Sequence, residues 1–297
     1  MFHSLISAIL AGLFLQSGLI FFITDPFTIP PVRERAVAPI RLHSNSLGIK
    51  TSASSVLVVD DASGAVLMEK NSGAVLPIAS ITKLMTAYAA AEAKPDWSSV
   101  VTITDTDKRT GDIDRIVPGE KISLHDLFNL TLIASNNDAA IALARASIGD
   151  EFVNKMNEYA RSLGMVHTIF TDPTGLETTN VSSVADLVLL ARAAFSVDEI
   201  RNAVLLDEYQ FTPIGSKQSR NAPATDRLLN SFLNEPPYEI IGAKTGTLDE
   251  AGYCLLLQLR RDGHDITIAL LGAESPEARW QEVKGLADWV FANYQWH

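Results

Sequence analysis

The chain has 297 residues, 47% of them hydrophobic and 20% charged, with a formal net charge of −11. That composition excludes a disordered chain, and an acidic balance with no Lys/Arg run excludes a nucleic-acid-binding surface. A single cysteine, Cys254, excludes an intrachain disulfide and a cysteine-based zinc site, and no histidine pair has the i, i+4 spacing of a helical zinc motif.

In chain order, the first feature is an uncharged run of 19 residues from Leu5 to Ile23, long enough to cross a bilayer core as a helix. No Lys or Arg precedes Arg33, and the first A-x-A after the run, Ala36-Val37-Ala38, lies well beyond it, past three prolines. An uncleaved membrane anchor is therefore favoured over a cleaved signal peptide. A buried soluble helix is disfavoured because the run has no polar face. Arg33, Arg35 and Arg41 follow the run, which by the positive-inside rule would put the body inside the cell, yet long domains translocate largely regardless of charge. The text after the run is proline-rich and reads as an extended spacer. The expected organisation is an anchor or uncleaved signal over residues 1–24, a linker over 25–51 and one globular body over 52–297.

Two β-rich runs around Asp60-Asp61-Ala62-Ser63-Gly64 predict a hairpin. A helix then opens near Ser80, followed by helical text from Leu124, broken at Ser135-Asn136-Asn137. Further amphipathic helices are expected from Asp150-Glu151, the acids opening the first turn, and from Ser183. Two late apolar runs joined by Asp262-Gly263 predict a second hairpin. The last helix carries Trp280, Val283, Ala287, Val290 and Tyr294 on one face and is expected to pack on the sheet. Strands at both ends of a helical middle predict an α+β domain with a helical insertion.

Three short motifs stand out. Ser80 and Lys83 share a helix face one turn apart. A cation is disfavoured at a helix N-terminus, but a lysine there, if neutral, can take the proton of a neighbouring serine hydroxyl. The plain alternative is a capping serine followed by a lysine reaching to solvent. Ser135-x-Asn137 reads equally as a cap between helices. A second S-x-N, Ser219-Arg220-Asn221, has no flanking helices. Lys244-Thr245-Gly246 ends an apolar run between Gly242 and Gly246, where strand glycines mark a close approach of backbone or ligand.

S-x-x-K opening a helix, S-x-N between helices and K-T-G on a strand before a hairpin form the ordered set of the penicillin-recognising serine enzymes. The chain resembles the D-alanyl-D-alanine carboxypeptidase/endopeptidase family, the low-molecular-weight penicillin-binding proteins. Similar text also runs between the motifs, as in "IASITKLMTA", "SNNDAAIALA", "FTDPTGL" and "GAKTGTLDEAGYC". The resemblance implies a β-lactamase/DD-peptidase (transpeptidase-like) fold, an antiparallel sheet with flanking helices and a helical subdomain.

It also implies roles. Ser80 would be the acylated nucleophile, Lys83 its base, and Ser135 a proton relay toward the departing amine. Asn137 and the Lys244-Thr245-Gly246-Thr247 segment would hold substrate, with the Ser80 and Thr247 backbone N–H groups as oxyanion hole. Arg279, at the start of the last helix, would bind the terminal carboxylate. Peptidoglycan stem peptides would be substrates and β-lactams covalent inhibitors, with no metal or organic cofactor. The catalytic body would face the extracytoplasmic side of the cell membrane. The text ends soon after the last helix, which points to the shorter branch of the family, where endopeptidase action is common. Two alternatives accompany this reading. A serine β-lactamase would need a water-activating glutamate, for which Glu177, near Asn180, is the candidate. A non-catalytic penicillin-sensing or wall-binding domain would keep the fold without the chemistry. The sequence does not separate carboxypeptidase from endopeptidase action.

Overall fold

A computed structural model describes residues 36–42, 45–46, 48–109 and 115–297. The apolar run from Leu5 to Ile23 lies outside these, and among the described residues no helix is long and apolar enough to cross a membrane.

Five strands form one antiparallel sheet: β1 (Ser55–Asp60), β2 (Val66–Lys70), β3 (Tyr238–Leu248), β4 (Gly252–Arg261) and β5 (His264–Ala273). Their order is β3-β4-β5-β1-β2, so the early hairpin joins the late strands through the β5–β1 pair. Both expected hairpins form. The β4–β5 turn has Asp262 at φ 52° and Gly263 at φ 82°, the left-handed pair that a two-residue hairpin turn requires.

All six residues of β1 are buried, because both faces of the sheet are covered. Successive side chains point to opposite faces. Leu57, Val59, Cys254, Leu256, Ala269 and Leu271 face the helical half. Val56, Val58, Leu255, Leu257, Ile266 and Ile268 meet a final helix, α7 (Pro276–Asn293), through Trp280, Val283, Leu286, Ala287 and Val290. The expected face of that helix is thus the packed one, while Tyr294 falls just past its end. Tyr294–Gln295 pairs antiparallel with Ile40–Arg41. The packed body therefore starts before Ser52, inside the segment expected to be extended linker.

The helical half holds α1 (Thr82–Glu92), α2 (Leu124–Leu132), α3 (Asn137–Ser147), α4 (Phe152–Ser162), α5 (Val184–Phe195) and α6 (Asp198–Val204). Ser123, Asn136 and Ser183 cap α2, α3 and α5 by accepting the N–H of the residue three positions on. Asp150 and Glu151 precede α4 rather than occupying its first turn. Helix α1 is the central one, with Leu84, Met85, Ala87, Ala89 and Ala90 buried together with Thr82, Lys83 and Thr86.

Candidate active site

Ser80 does not cap α1. It sits in a 3-10 turn, Ala79–Ile81, that leads into the helix, and neither start has a side-chain cap. Ala79, just before it, has φ 47°. This left-handed conformation costs a residue with a Cβ about 1–2 kcal/mol. Two glycines pin the turn. A Cβ on Gly175 would lie 2.0 Å from the Ala79 carbonyl oxygen, and one on Gly246 would lie 2.7 Å from that of Ile78. The glycine of the third motif is therefore where the β3 backbone presses against the serine turn. Gly242 is equally constrained, since its Cβ would meet the Phe195 ring at 2.5 Å.

Lys83 is fully buried. Its Nζ lies 3.0 Å from Ser80 Oγ, 2.6 Å from Asn137 Oδ1 and 2.7 Å from the Thr174 carbonyl oxygen. The last two are acceptors only. A neutral amine has two N–H groups and one lone pair, so the carbonyls of Asn137 and Thr174 take the two N–H groups. The lone pair then faces the Ser80 hydroxyl. After proton transfer the ammonium has three N–H groups for the same three oxygens. Both protonation states of the base are thus satisfied by one geometry.

The second serine is held by the second lysine. Ser135 has φ 54° between α2 and α3, and its Oγ accepts from Lys244 Nζ at 2.9 Å. Lys244 is 2% exposed and also donates to the Thr245 carbonyl at 3.1 Å. Burial pushes its amine well below the ordinary lysine range, and the positive potentials of Arg279 and of Lys83 once protonated push the same way, against Asp226. The three sequence motifs converge through these contacts: Ser80, Lys83 and Asn137 in one cluster, Ser135 and Lys244 in the next.

Arg279 reaches this place from α7. Its Nη1 lies 3.2 Å from the Gly246 carbonyl and 3.2 Å from Thr247 Oγ1, and its guanidinium carbon is 4.3 Å from the Trp280 ring centroid. Burial lowers its affinity for a proton. An open cleft of about 420 Å³ is lined by Ser80, Ser135, Thr245, Gly246, Thr247 and Arg279, together with Thr225 and Arg227. It presents a nucleophile, a relay hydroxyl, an exposed strand edge and a guanidinium, a set suited to acyl transfer from a substrate ending in a carboxylate.

The family profile described as D-alanyl-D-alanine carboxypeptidase matches residues 42–275. The chain belongs to the D-alanyl-D-alanine carboxypeptidase family. A D-alanyl-D-alanine endopeptidase of Pseudomonas aeruginosa is 34% identical over 245 residues, covering 80% of this chain and 77% of the relative. The solved D-alanyl-D-alanine carboxypeptidase of Mycobacterium tuberculosis H37Rv superposes with a TM-score of 0.77 at 26% identity, over 86% of this chain and 98% of that one. Penicillin-binding protein D2 of Listeria monocytogenes in its cefotaxime-bound form superposes with a TM-score of 0.73 at 29% identity, over 83% and 100%. The α+β DD-peptidase fold implied by the sequence is the one observed.

The sequence reading missed several contributors to the cleft. Thr174 acts through its backbone carbonyl, which no side-chain pattern announces. The available signal was the turn chemistry of Asp172-Pro173-Thr174-Gly175. Asp172 accepts the Gly175 N–H at 2.8 Å, and Asn180 Oδ1 accepts the Thr171 N–H at 2.8 Å. Asn180 is thus a buried clamp of that loop, and Glu177 is exposed and absent from the cleft lining. The β-lactamase alternative loses its water-activating glutamate accordingly. Thr225, whose Oγ1 lies 2.9 Å from Thr245 Oγ1, and Asp226 beside it were also missed. Ser219-Arg220-Asn221 lies at a peripheral hairpin, Glu208–Phe211 with Arg220–Pro223, outside the cleft.

Proposed function

We propose that this chain hydrolyses D-Ala–D-X bonds of peptidoglycan stem peptides through an acyl-enzyme on Ser80, and that β-lactams acylate the same oxygen. The observation that carries this reading is the set of three oxygens around Lys83 Nζ, with Ser80 Oγ at 3.0 Å. Lys83 takes the Ser80 proton as Oγ bonds to the scissile carbonyl carbon. The oxyanion that develops is held by the backbone N–H groups of Ser80 and Thr247, an arrangement in which one donor is worth about 10²–10³ in rate. As the C–N bond breaks, Ser135 gives its hydroxyl proton to the departing amine and regains one from the Lys83 ammonium, which leaves Lys83 neutral again, and Lys244 stabilises the relay oxygen. Asn137, Thr245 and Thr247 position the substrate backbone, and Arg279 binds the carboxylate beyond the scissile bond. Water then attacks the ester, its proton returning through Lys83, and Ser80 is regenerated.

The decisive experiment digests purified muropeptides with the residues 36–297 body, using Ser80→Ala as control. Release of D-Ala from monomers marks carboxypeptidase action, and conversion of cross-linked dimers to monomers marks endopeptidase action. The endopeptidase name of the Pseudomonas aeruginosa relative makes dimers the first substrate to test. A properly folded protein that does neither overturns the reading.

For localisation, the proposal is a single anchor over the run from Leu5 to Ile23 with the body on the extracytoplasmic side, supported by the 19 uncharged residues and by where peptidoglycan lies. Recovery of the intact chain in membranes, with the body digested by protease added to spheroplasts, supports it. Release of a shortened protein into the soluble fraction indicates a cleaved signal instead.

A further inference from the structure

Asp226 is a buried carboxylate that the mechanism above does not use. It is 8% exposed. One oxygen accepts the Leu228 N–H at 2.9 Å, and the other, Oδ2, is buried with no hydrogen-bond partner. Uncompensated buried charges are costly and are replaced readily by neutral groups unless they do something. Asp226 and Lys244 line one cavity of about 10 Å³, behind the cleft. That is the room of about one water molecule.

The surrounding charges have a clear direction. Lys244, on β3, is pressed toward the neutral amine by burial, by Lys83 from α1 whenever that amine holds the serine proton, and by Arg279 from α7. Asp226 is the group that opposes them. Burial holds the Asp226 carboxyl up at about 6, with Asp207 adding to the rise, against the Leu228 N–H and the positive potentials of Lys244 and Arg279, which favour the carboxylate. A neutral Lys244 would still accept or donate a hydrogen bond at Ser135, but it would lose its attraction for a substrate carboxylate and for the relay oxyanion.

We infer that Asp226 is a positioning residue that keeps Lys244 protonated, acting from behind the K-T-G strand across the small polar cavity they share. This rests on the acyl-enzyme reading of the cleft. Asp226 touches neither substrate nor the reacting atoms; its effect reaches the reaction only through the charge on Lys244.

The test is the rate of Ser80 acylation by a labelled penicillin from pH 5 to 10, in the 36–297 body and its Asp226→Asn variant, with thermal melting at each pH. The variant keeps the shape and the Leu228 contact but not the charge. The alkaline limb is expected to move down by about one pH unit, which is about tenfold in rate on that limb. Melting temperature at pH 7.5 is expected to be equal or higher, because a buried unpaired charge has gone. Superposable profiles overturn the inference. So does a variant that melts lower or fails to fold, because the carboxylate is then structural. Absence of labelling in the unsubstituted protein at every pH overturns the acyl-enzyme reading itself, and this inference with it.

Discussion

Gly175 and Ala79 meet backbone to backbone: a methyl group on the glycine would lie 2.0 Å from the Ala79 carbonyl oxygen. One loop, Asp172 to Asn180, therefore does two things at the nucleophile. It wedges the left-handed Ala79 in place, and through Thr174 it supplies an acceptor for Lys83.

Gly175→Ala is expected to be among the most damaging single-methyl changes in the chain. Gly175 has φ 81° and no free space, so the loop must retreat and take the Thr174 carbonyl with it. The expected loss is more than about 2 kcal/mol of stability, with slower penicillin labelling of whatever folds. Denaturant titration and labelling kinetics check this. Unchanged labelling would mean the turn tolerates the displacement.

Lys83→Arg puts a permanent cation, with no lone pair to accept the serine proton, where the base must be a neutral amine. If Lys83 is the base, acylation of Ser80 falls by about 10²–10⁴-fold, though the protein still binds the ligand. Stopped-flow acylation separates the two steps. A loss of binding with normal chemistry would reassign Lys83 to substrate recognition.

Arg279→Gln removes a charged donor from the rim while leaving the serine cluster alone. A hydrogen bond to a charged partner is worth about 1.5–3 kcal/mol, so KM for a substrate ending in a free carboxylate should rise by about 10–100-fold. The corresponding amide-capped substrate should be indifferent to the change. Equal effects on both would show a packing role through Trp280 and Tyr253.

Stability should depend on pH through Asp226. Its carboxyl sits at about 6 in the folded chain against an ordinary 3.8, so between those values the folded state binds more protons than the unfolded one. Stability therefore falls as pH rises through that window, by about 3 kcal/mol when the window is complete. Asp226→Asn should flatten the fall, as measured by urea unfolding at pH 4.5, 6 and 7.5. An identical slope in the variant would place the titration elsewhere.

Cys254 should be inert to thiol reagents in the native state. It is fully buried, and burial pushes its thiol up to about 11, so the reactive thiolate is scarce as well as inaccessible. Rapid labelling by a maleimide at neutral pH without denaturant would contradict the packing of β4 against the helical half.

Much of this arrangement was legible in the sequence. Motif order announced Ser80, Lys83, Ser135, Asn137 and Lys244, and hydrophobic periodicity announced the hairpins and α7. What was not legible depends on contacts across the chain. Ser80 looked like a cap, but the strain at Ala79 that removes it from the helix comes from glycines about 95 and 165 residues away, and propensity does not report distant contacts. Nothing in the sequence marks Asp226, because burial is a property of the assembled fold. The pairing of Ile40–Arg41 with Tyr294–Gln295 was hidden because two-residue strands leave no periodicity to read.

The three oxygens around Lys83 come from separate parts of the chain, the serine turn, the start of α3 and the Thr174 loop. None of these segments can activate the serine by itself. A chain still folding carries the full set of catalytic residues yet is chemically silent, and it becomes reactive only when these three segments have come together. A labelled penicillin is therefore a conformational probe of this protein: the fraction of chains that take the label counts the molecules in which these three segments have met.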